Sequence, residues 1–290
     1  MLTCELKNKP IQGSNDMKKI PLFLSVVAVL GFSMSAQSTT ITMSDFSDTS
    51  DFSLNGTAQV INSDFLRLGT AGTAFTNNTV SLQNDSSFSA KFTFNFNGQV
   101  NGGGDGMTFI LHADNSSVGS SGGGMGFGGL NNSFGIEFDT WDNYENNEVS
   151  ASHIGVNVNG SLSSLAVLDL TNSFGDLDSP STFWTAWVEY DGVNNDLSVF
   201  FNNADVKPGA AILNYNVDLA SVIGTSDVYV GFGAASGFAA SNHDVHSFAF
   251  ADDFTDSDAI EPTDVPEPAV ASLLGLGALF MFMRRKKAVK

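Results

Sequence analysis

The chain has little cysteine and, between its two ends, little positive charge. Its single cysteine, Cys4, lies near the N-terminus of the 290 residues, so no disulfide can form within the body of the chain. Only Arg67, Lys91 and Lys207 are basic between positions 37 and 264, against 28 acidic residues, which gives this region a net charge of −25. Such a surface repels polyanions, which argues against nucleic acid and anionic lipid as partners and favours a neutral or cationic ligand.

Long helical patterns are also missing. No stretch over twelve residues follows a 3.6-residue period; short alternating apolar runs follow one another from Ile41 to about Phe254. The clearest run places five apolar side chains on one face: Phe88, Ala90, Phe92, Phe94 and Phe96. Turn signals lie between or beside the runs, at Asn55-Gly56, Asn97-Gly98, Asn159-Gly160 and Asp191-Gly192. With 25 phenylalanines to bury, this pattern predicts an all-β fold, an antiparallel β-sandwich or jelly roll of two facing sheets.

The N-terminal segment, residues 1–36, has the order of a signal peptide. Met17-Lys18-Lys19 precedes the apolar run 20–32, and small residues follow up to Ala36, where we expect cleavage. A membrane anchor is the alternative, although the run is short for a membrane span. We interpret residues 1–16 as an extension from an upstream start codon, which leaves Met1 and Met17 both open as the start. The sandwich is then expected at 37–254 and an acidic, proline-containing linker at 255–264.

The C-terminal segment, residues 265–290, resembles a PEP-CTERM sorting tail. It begins with Val265-Pro266-Glu267-Pro268, continues with the apolar run 269–283 and ends in the basic run 284–287. The resemblance implies export, transient membrane anchoring through a short hydrophobic helix, and an exosortase-type processing enzyme as a partner. The mature protein would then be found at the cell surface or in the extracellular matrix. An ordinary C-terminal anchor is the alternative.

One acidic stretch, residues 137–153, gathers potential metal ligands. Seven of its residues could donate oxygen or nitrogen: Glu137, Asp139, Asp142, Asn143, Glu145, Glu148 and His153. Apolar residues alternate with polar ones before and after it, so two strands should flank a loop, with Glu137 and Asp139 on one face. A hard cation could take oxygens from Asp139, Asn143, Glu148 and the Trp141 carbonyl. A second, transition-type ion suits Glu137, Asp139, Glu148 and His153. A solvated acidic loop is the alternative.

The spacing of these residues resembles the metal-binding segment of the L-type (legume-type) lectins. The matching residues are Glu137-Phe138-Asp139-Thr140, Asn143, Glu148 and His153-Ile154-Gly155. The resemblance implies a concanavalin-like jelly roll that binds Ca²⁺ through Asp139, Trp141, Asn143 and Glu148. It also implies Mn²⁺ or another transition metal bound by Glu137, Asp139, Glu148 and His153, with Ser163 holding a metal-bound water. The family has aspartate where this chain has Glu148.

The resemblance extends to the sugar site. The run Gly104-Asp105-Gly106 with the following strand is similar to the family segment whose aspartate follows a cis peptide and accepts sugar hydroxyls. The run 122–126 is similar to the glycine loop whose backbone N–H meets the sugar. A pyranose offers vicinal hydroxyls above a C–H face, so Asp105, Asn143 and the Gly124 N–H can bind hydroxyls while Trp141 covers the apolar face.

These features predict an exported, calcium-dependent carbohydrate-binding protein that is not an enzyme and has a glycan as its partner. One alternative is a structural or adhesive matrix protein whose lectin fold binds no sugar. The other is a glycoside hydrolase of the laminarinase-like jelly-roll type, which needs carboxylates at positions i and i+4 of one strand. Here residue 141, four after Glu137, is tryptophan. The residues do not predict which sugar is bound or the oligomeric state.

Overall fold

The structure is a computed structural model, which describes residues 40–144 and 148–253. The predicted signal peptide, linker and sorting tail lie outside the described residues, as does Glu145. Within the described ranges, no helix is long and apolar enough to cross a membrane.

The described residues form sixteen β-strands and one short helix. In chain order they are β1 (Thr40–Met43), β2 (Phe52–Gly56), β3 (Gln59–Ile61), β4 (Phe65–Arg67), β5 (Ala71–Thr76), β6 (Val80–Ser81), β7 (Phe88–Val100), β8 (Gly106–His112), β9 (Ser133–Asp139), β10 (His153–Val158), β11 (Ala166–Asp169), β12 (Trp184–Asp191), β13 (Asp196–Asn202), β14 (Leu213–Asn216), α1 (Leu219–Ile223), β15 (Asp227–Ala235) and β16 (Ala240–Ala251). Two 3₁₀ turns lie at Gln83–Asp85 and Gly122–Gly124.

The strands pair into two antiparallel sheets. The first has the order β14-β13-β12-β7-β16-β4-β3, with β1 paired to β16. The second has the order β11-β10-β9-β8-β15-β5-β2, with β6 paired to β15. Non-consecutive neighbours in both sheets mean that the chain crosses repeatedly between them. The expected antiparallel jelly-roll sandwich is therefore confirmed.

The core lies between the two sheets and is dominated by phenylalanine. The predicted run on β7 places Phe88, Phe92, Phe94 and Phe96 in the core with no exposed surface. Phe92 stacks on Phe109 of the facing sheet, with ring centroids 5.3 Å apart. Each such aromatic removes a large apolar surface from water, which is the main stabilising contribution to the fold.

Some of the predicted turn signals lie at strand ends, and one lies inside a strand. Asn159-Gly160 follows β10 with φ angles of 53° and 67°, and Gly56 ends β2 with φ of 63°. Asn97-Gly98 does not separate two strands, because it lies inside β7. Gly98 has φ of 65°, and the β7–β16 register shifts beside it, so the dipeptide produces a β-bulge instead of a hairpin turn. The bulge keeps β7 continuous up to the loop that carries Gly104 and Asp105.

Candidate functional site

The strand pair β9 and β10 carries the predicted acidic face. Glu137 and Asp139 alternate with Phe138, which enters the core, so both carboxylates share the opposite face of the strand. In the antiparallel register His153 lies opposite Asp139, and Gly155 lies opposite Glu137. All three polar side chains are buried. The structure thus brings Glu137, Asp139 and His153 to neighbouring positions on one sheet.

The Glu137 carboxylate is held by three side chains. It accepts hydrogen bonds from the amide of Asn157 and the hydroxyl of Ser164, and it lies 3.3 Å from His153 Nε2. A Cβ at Gly155 would come within 2.1 Å of Glu137 Oε1, so the glycine makes room for the carboxylate.

Sequence reasoning missed two of these partners. The alternation of His153, Gly155 and Asn157 on β10 could have indicated Asn157, whereas Ser164 lies on a loop without a comparable signal. Ser163, the residue that the resemblance indicated, is exposed and lines a cavity of about 170 Å³ together with Glu148 and His153.

His153 lies against acidic neighbours. Burial lowers its pKa, but the hydrogen bond with Glu137 and the charges of Asp139 and Glu137 more than compensate and raise the pKa to about 9. The Ser150 carbonyl lies 2.7 Å from Nδ1, which leaves Nε2 directed at Glu137. In the absence of another cation, the imidazolium is therefore the positive group beside these carboxylates.

Three side chains at and just after the end of β9 carry buried oxygens without a hydrogen-bond partner. Asp139 Oδ1 accepts the Trp141 N–H at 2.7 Å, whereas Asp139 Oδ2, Asp142 Oδ1 and Asn143 Oδ1 have no hydrogen-bond partner. Burial raises the pKa of Asp139 well above its usual range; the nearby charge of His153 opposes the rise, and the charge of Glu148 adds to it. Because buried polar atoms are rarely left unpaired, these oxygens fit the binding of a ligand such as a cation.

The oxygens fit a hard cation better than a transition metal. The backbone N–H of Asn143 donates to the Glu148 carboxylate, so these two proposed ligands lie close together. Carboxylate, amide and carbonyl oxygens are the ligands that Ca²⁺ prefers. In residues 40–144 and 148–253, however, no group of three or more His, Cys, Asp or Glu side chains forms a metal-binding cluster. The second ion, whose donor set has four such side chains, therefore stays a prediction.

Asp105 lies beside this loop. The Gly104–Asp105 peptide is cis, as the resemblance implied, and the Asp105 carbonyl accepts the Thr140 N–H at 2.9 Å. The carboxyl group is buried, with Oδ2 lacking a hydrogen-bond partner. Burial raises the pKa of Asp105, while hydrogen bonds from the Gly237 backbone and the Asn143 side chain lower it. Asp105 and Asn143, 38 positions apart in the printed sequence, therefore meet in one site.

The glycine loop lies against the same two side chains. A Cβ at Gly123 would come within 2.2 Å of Asn143 Oδ1, so only a glycine leaves Asn143 in place. The structure thus places Gly123 next to Asn143. The predicted Gly124 is buried, and its N–H donates to the Ser121 carbonyl at 3.2 Å.

Trp141 is the exposed aromatic of the site. Its side chain is 37% exposed, and it lies against the backbone at Gly102 and Gly104, where added Cβ atoms would come within 3.6 and 3.3 Å of it. A cavity of about 340 Å³ borders the ring, with Thr171 and Asp176 also in its lining. Trp141 therefore does not fill the core, and its accessible ring surface can contact a ligand.

Two antiparallel sheets, with an acidic loop and a buried aspartate at one edge, define a protein of the L-type, legume-lectin-like carbohydrate-binding class. The family model described as "Legume lectin domain" matches residues 38–267. The chain belongs to this family.

The relatives include lectins and lectin-bearing kinases. The L-type lectin-domain containing receptor kinase VIII.1 of Arabidopsis thaliana is 30% identical over 208 residues, which cover 70% of this chain and 27% of the kinase. The chain thus spans about a quarter of that relative. A lectin of Bauhinia forficata is 33% identical over 174 residues, covering 57% of this chain and 71% of the lectin.

Solved structures of lectins and lectin-like proteins have a similar fold. The lectin from Bauhinia forficata in complex with GalNAc superposes with a TM-score of 0.64 at 29% identity, covering 74% of this chain and 98% of that one. Arcelin-5, a lectin-like defense protein from Phaseolus vulgaris, superposes with a TM-score of 0.62 at 21% identity, over 76% of this chain and all of that one. The second likeness concerns the fold alone.

Proposed function

We propose that this protein is an exported, calcium-dependent carbohydrate-binding protein. The observation that carries the proposal is the meeting of Asp105 and Asn143, each with a buried oxygen that lacks a hydrogen-bond partner. Buried acceptors of this kind are costly unless a ligand satisfies them: a sugar hydroxyl can donate to Asp105 Oδ2, and a calcium ion can bind Asn143 Oδ1. A protein that used the fold only as a scaffold would gain nothing from keeping them.

The contacts expected with a sugar follow from the chemistry of the side chains. Asp105 Oδ2 accepts a hydroxyl, and the side-chain amide of Asn143 donates to a neighbouring hydroxyl. The glycine loop around Gly123 leaves the sugar close access to the backbone. Trp141 covers a C–H face of the ring, which provides apolar contact without a charge. None of these groups requires the ligand to be charged, in agreement with the acidic surface.

Calcium would be held by Asp139, Asn143, Glu148 and the Trp141 carbonyl. Its role is to neutralise carboxylates that burial has placed together and to hold Asn143 and Trp141 in position, so that binding the sugar costs less ordering entropy. A second, transition-type ion would take Glu137, Asp139, Glu148 and His153, with Ser163 at its water. Binding of this ion would replace hydrogen bonds that Glu137 accepts from Asn157 and Ser164.

N-acetylgalactosamine is the first sugar to test, because the Bauhinia lectin that this chain resembles is described in complex with GalNAc. We expect the purified protein to retain glycans on an array in calcium and to lose them in EDTA. Asp105→Ala should abolish retention while the melting temperature changes little. Absence of binding to every glycan in the presence of calcium would reject the proposal and favour a scaffold role.

Export is proposed from the order of features at the two ends of the chain, which lie outside the described residues. We propose cleavage near Ala36, followed by exosortase-type removal of the tail that begins at Val265. Mass spectrometry of the protein recovered from the producing cell tests both steps. Termini at Met1 or Met17 and at Lys290 in surface-located protein would reject them.

A further inference from the structure

A buried carboxyl outside the predicted site lies directly behind the Asp105 turn. Asp178, on the loop between β11 and β12, is 5% exposed. Both of its carboxyl oxygens accept the hydroxyl of Ser241, at 2.8 and 3.0 Å. The amide of Gln99 donates to its backbone carbonyl at 2.7 Å and to Oδ1 at 3.2 Å. Asp178 therefore joins three segments of chain: the end of β7, its own loop and the start of β16.

Ser241 connects Asp178 to Gly104, the residue that precedes Asp105. The Gly104 N–H donates to Ser241 Oγ at 3.2 Å, and the Gly104 carbonyl accepts the hydroxyl of Ser236 at 3.0 Å. Both backbone polar groups of Gly104 are thus held by serine side chains. Because Ser241 gives its hydroxyl hydrogen to Asp178, a lone pair of its oxygen is left to accept the Gly104 N–H.

The packing around the Asp178 carboxylate is tight. A Cβ at Gly103 would come within 1.3 Å of Asp178 Oδ2, so the carboxylate touches the backbone of the turn itself. Gly103 has φ of 85°, a conformation that also favours glycine. A displacement of Asp178 would therefore shift the Gly103–Gly104 backbone and the side chain that follows it.

The hydrogen-bond donors to Asp178 are neutral. Burial raises the pKa of Asp178 to about 6, partly offset by the hydrogen bonds from Ser241 and Gln99, and the charge of Asp176 adds to the rise. Two further titratable groups lie near Gly104: Asp105, whose pKa is raised by burial, and His243 on β16, whose pKa is lowered to about 4 by burial, so that it is neutral above that pH. An ionised carboxylate without a cationic partner is unfavourable for stability, so its presence calls for another reason.

We propose that Asp178 is a positioning residue of the carbohydrate site, which acts through Ser241 on Gly104 and thereby fixes the side chain of Asp105. This inference rests on the proposed function. Protonation of Asp178 would turn an acceptor into a donor that competes with the Gly104 N–H for Ser241 Oγ. An asparagine at position 178 would imitate this protonated state at every pH, since its amide places a donor where the acid carries its proton.

The test compares wild-type protein with Asp178→Asn and Ser241→Ala in calcium. Asp227→Asn, which alters an exposed carboxyl on β15, is the matched control. The glycan bound tightest by the wild type on an array is titrated calorimetrically at pH 5 and pH 7.5. Loss of a charge-assisted hydrogen bond should weaken binding by Asp178→Asn about tenfold at pH 7.5. The difference in glycan affinity between Asp178→Asn and wild type should be smaller at pH 5, where wild-type Asp178 is protonated.

The ratio of the wild-type affinity to the variant affinity is the readout, because Asp105 and the proposed calcium ligands are present in both proteins. Hydrogen exchange of the Gly104 amide, followed by NMR without sugar, gives a second readout: it should be faster in both variants and unchanged in the control. If the wild type binds glycan and Asp178→Asn binds it equally at pH 7.5, the inference is wrong while the proposed function stands. If the wild type binds no glycan, the proposed function fails and the inference fails with it.

Discussion

Replacing Asp178 by asparagine should increase the stability of the domain at neutral pH. Burial raises the pKa of Asp178 from its ordinary value of 3.8 to about 6, so the folded state holds the proton more tightly than the unfolded chain does. The stabilising contribution of protonated Asp178 to the free energy of unfolding is fully present below pH 3.8 and is lost as the pH rises through 6. At 1.36 kcal/mol per pKa unit, ionisation of the buried acid costs at most about 3 kcal/mol.

The amide of the Asp178→Asn variant does not ionise and has no such cost, so the free energies of unfolding of the two proteins should diverge with pH. Urea unfolding in EDTA, followed by the fluorescence of the buried Trp184 and Trp187, measures the two free energies of unfolding between pH 4 and pH 8. We expect the variant to gain up to about 3 kcal/mol over wild type between pH 4 and pH 7.5. Any change in hydrogen bonding caused by the substitution adds a constant to the difference in unfolding free energy and does not alter the slope of that difference against pH. A difference in unfolding free energy that stays constant over this pH range would refute the reasoning.

Three further predictions concern the site and the fold. Asp139→Ala should remove the rise in melting temperature that calcium causes in wild type, as measured by calorimetry with and without EDTA; an undiminished rise would reject the calcium assignment. Gly123→Ala should displace the neighbouring amide and abolish glycan binding, whereas Gly209→Ala, where a Cβ meets nothing within 4 Å, should bind normally on the same array. Arg67→Met leaves the buried carboxylate of Asp244 unpaired and should cost about 3 kcal/mol of unfolding free energy in urea. Lys91→Met, whose partner is 65% exposed, should cost less than about 1 kcal/mol, and equal losses would contradict the role of burial.

The fold was predictable because its signal is local and repeated. Alternation on β7 identified the core face from Phe88 to Phe96, and the same pattern recurs along the chain, so an all-β sandwich followed from composition and period. The bulge at Asn97-Gly98 was not predicted. The dipeptide has the same conformational preference in a hairpin turn and in a bulge, and only the pairing of β7 with β16 selects between them.

The site was predictable where its residues are close in sequence. Glu137, Asp139 and His153 lie on two adjacent strands, so one loop brings them together and their spacing carries the signal. Asp178 and Ser241 are 63 positions apart, and neither belongs to a recognisable pattern. Their contact depends on how the end of β7, the loop that carries Asp178 and the start of β16 meet, which the residues alone do not specify.

Three of the buried carboxyls lie near one another, and their proximity links metal binding, sugar binding and stability. They are Asp105, Asp139 and Asp178, and in each case burial is the main cause of a raised pKa. Thr140, next to Asp139, donates its N–H to the Asp105 carbonyl, and Asp178 reaches Gly104 through Ser241. Three unfavourable charges are thus joined by a short chain of hydrogen bonds. Neutralising one of them with calcium should therefore order the others, so that calcium raises glycan affinity without touching the sugar.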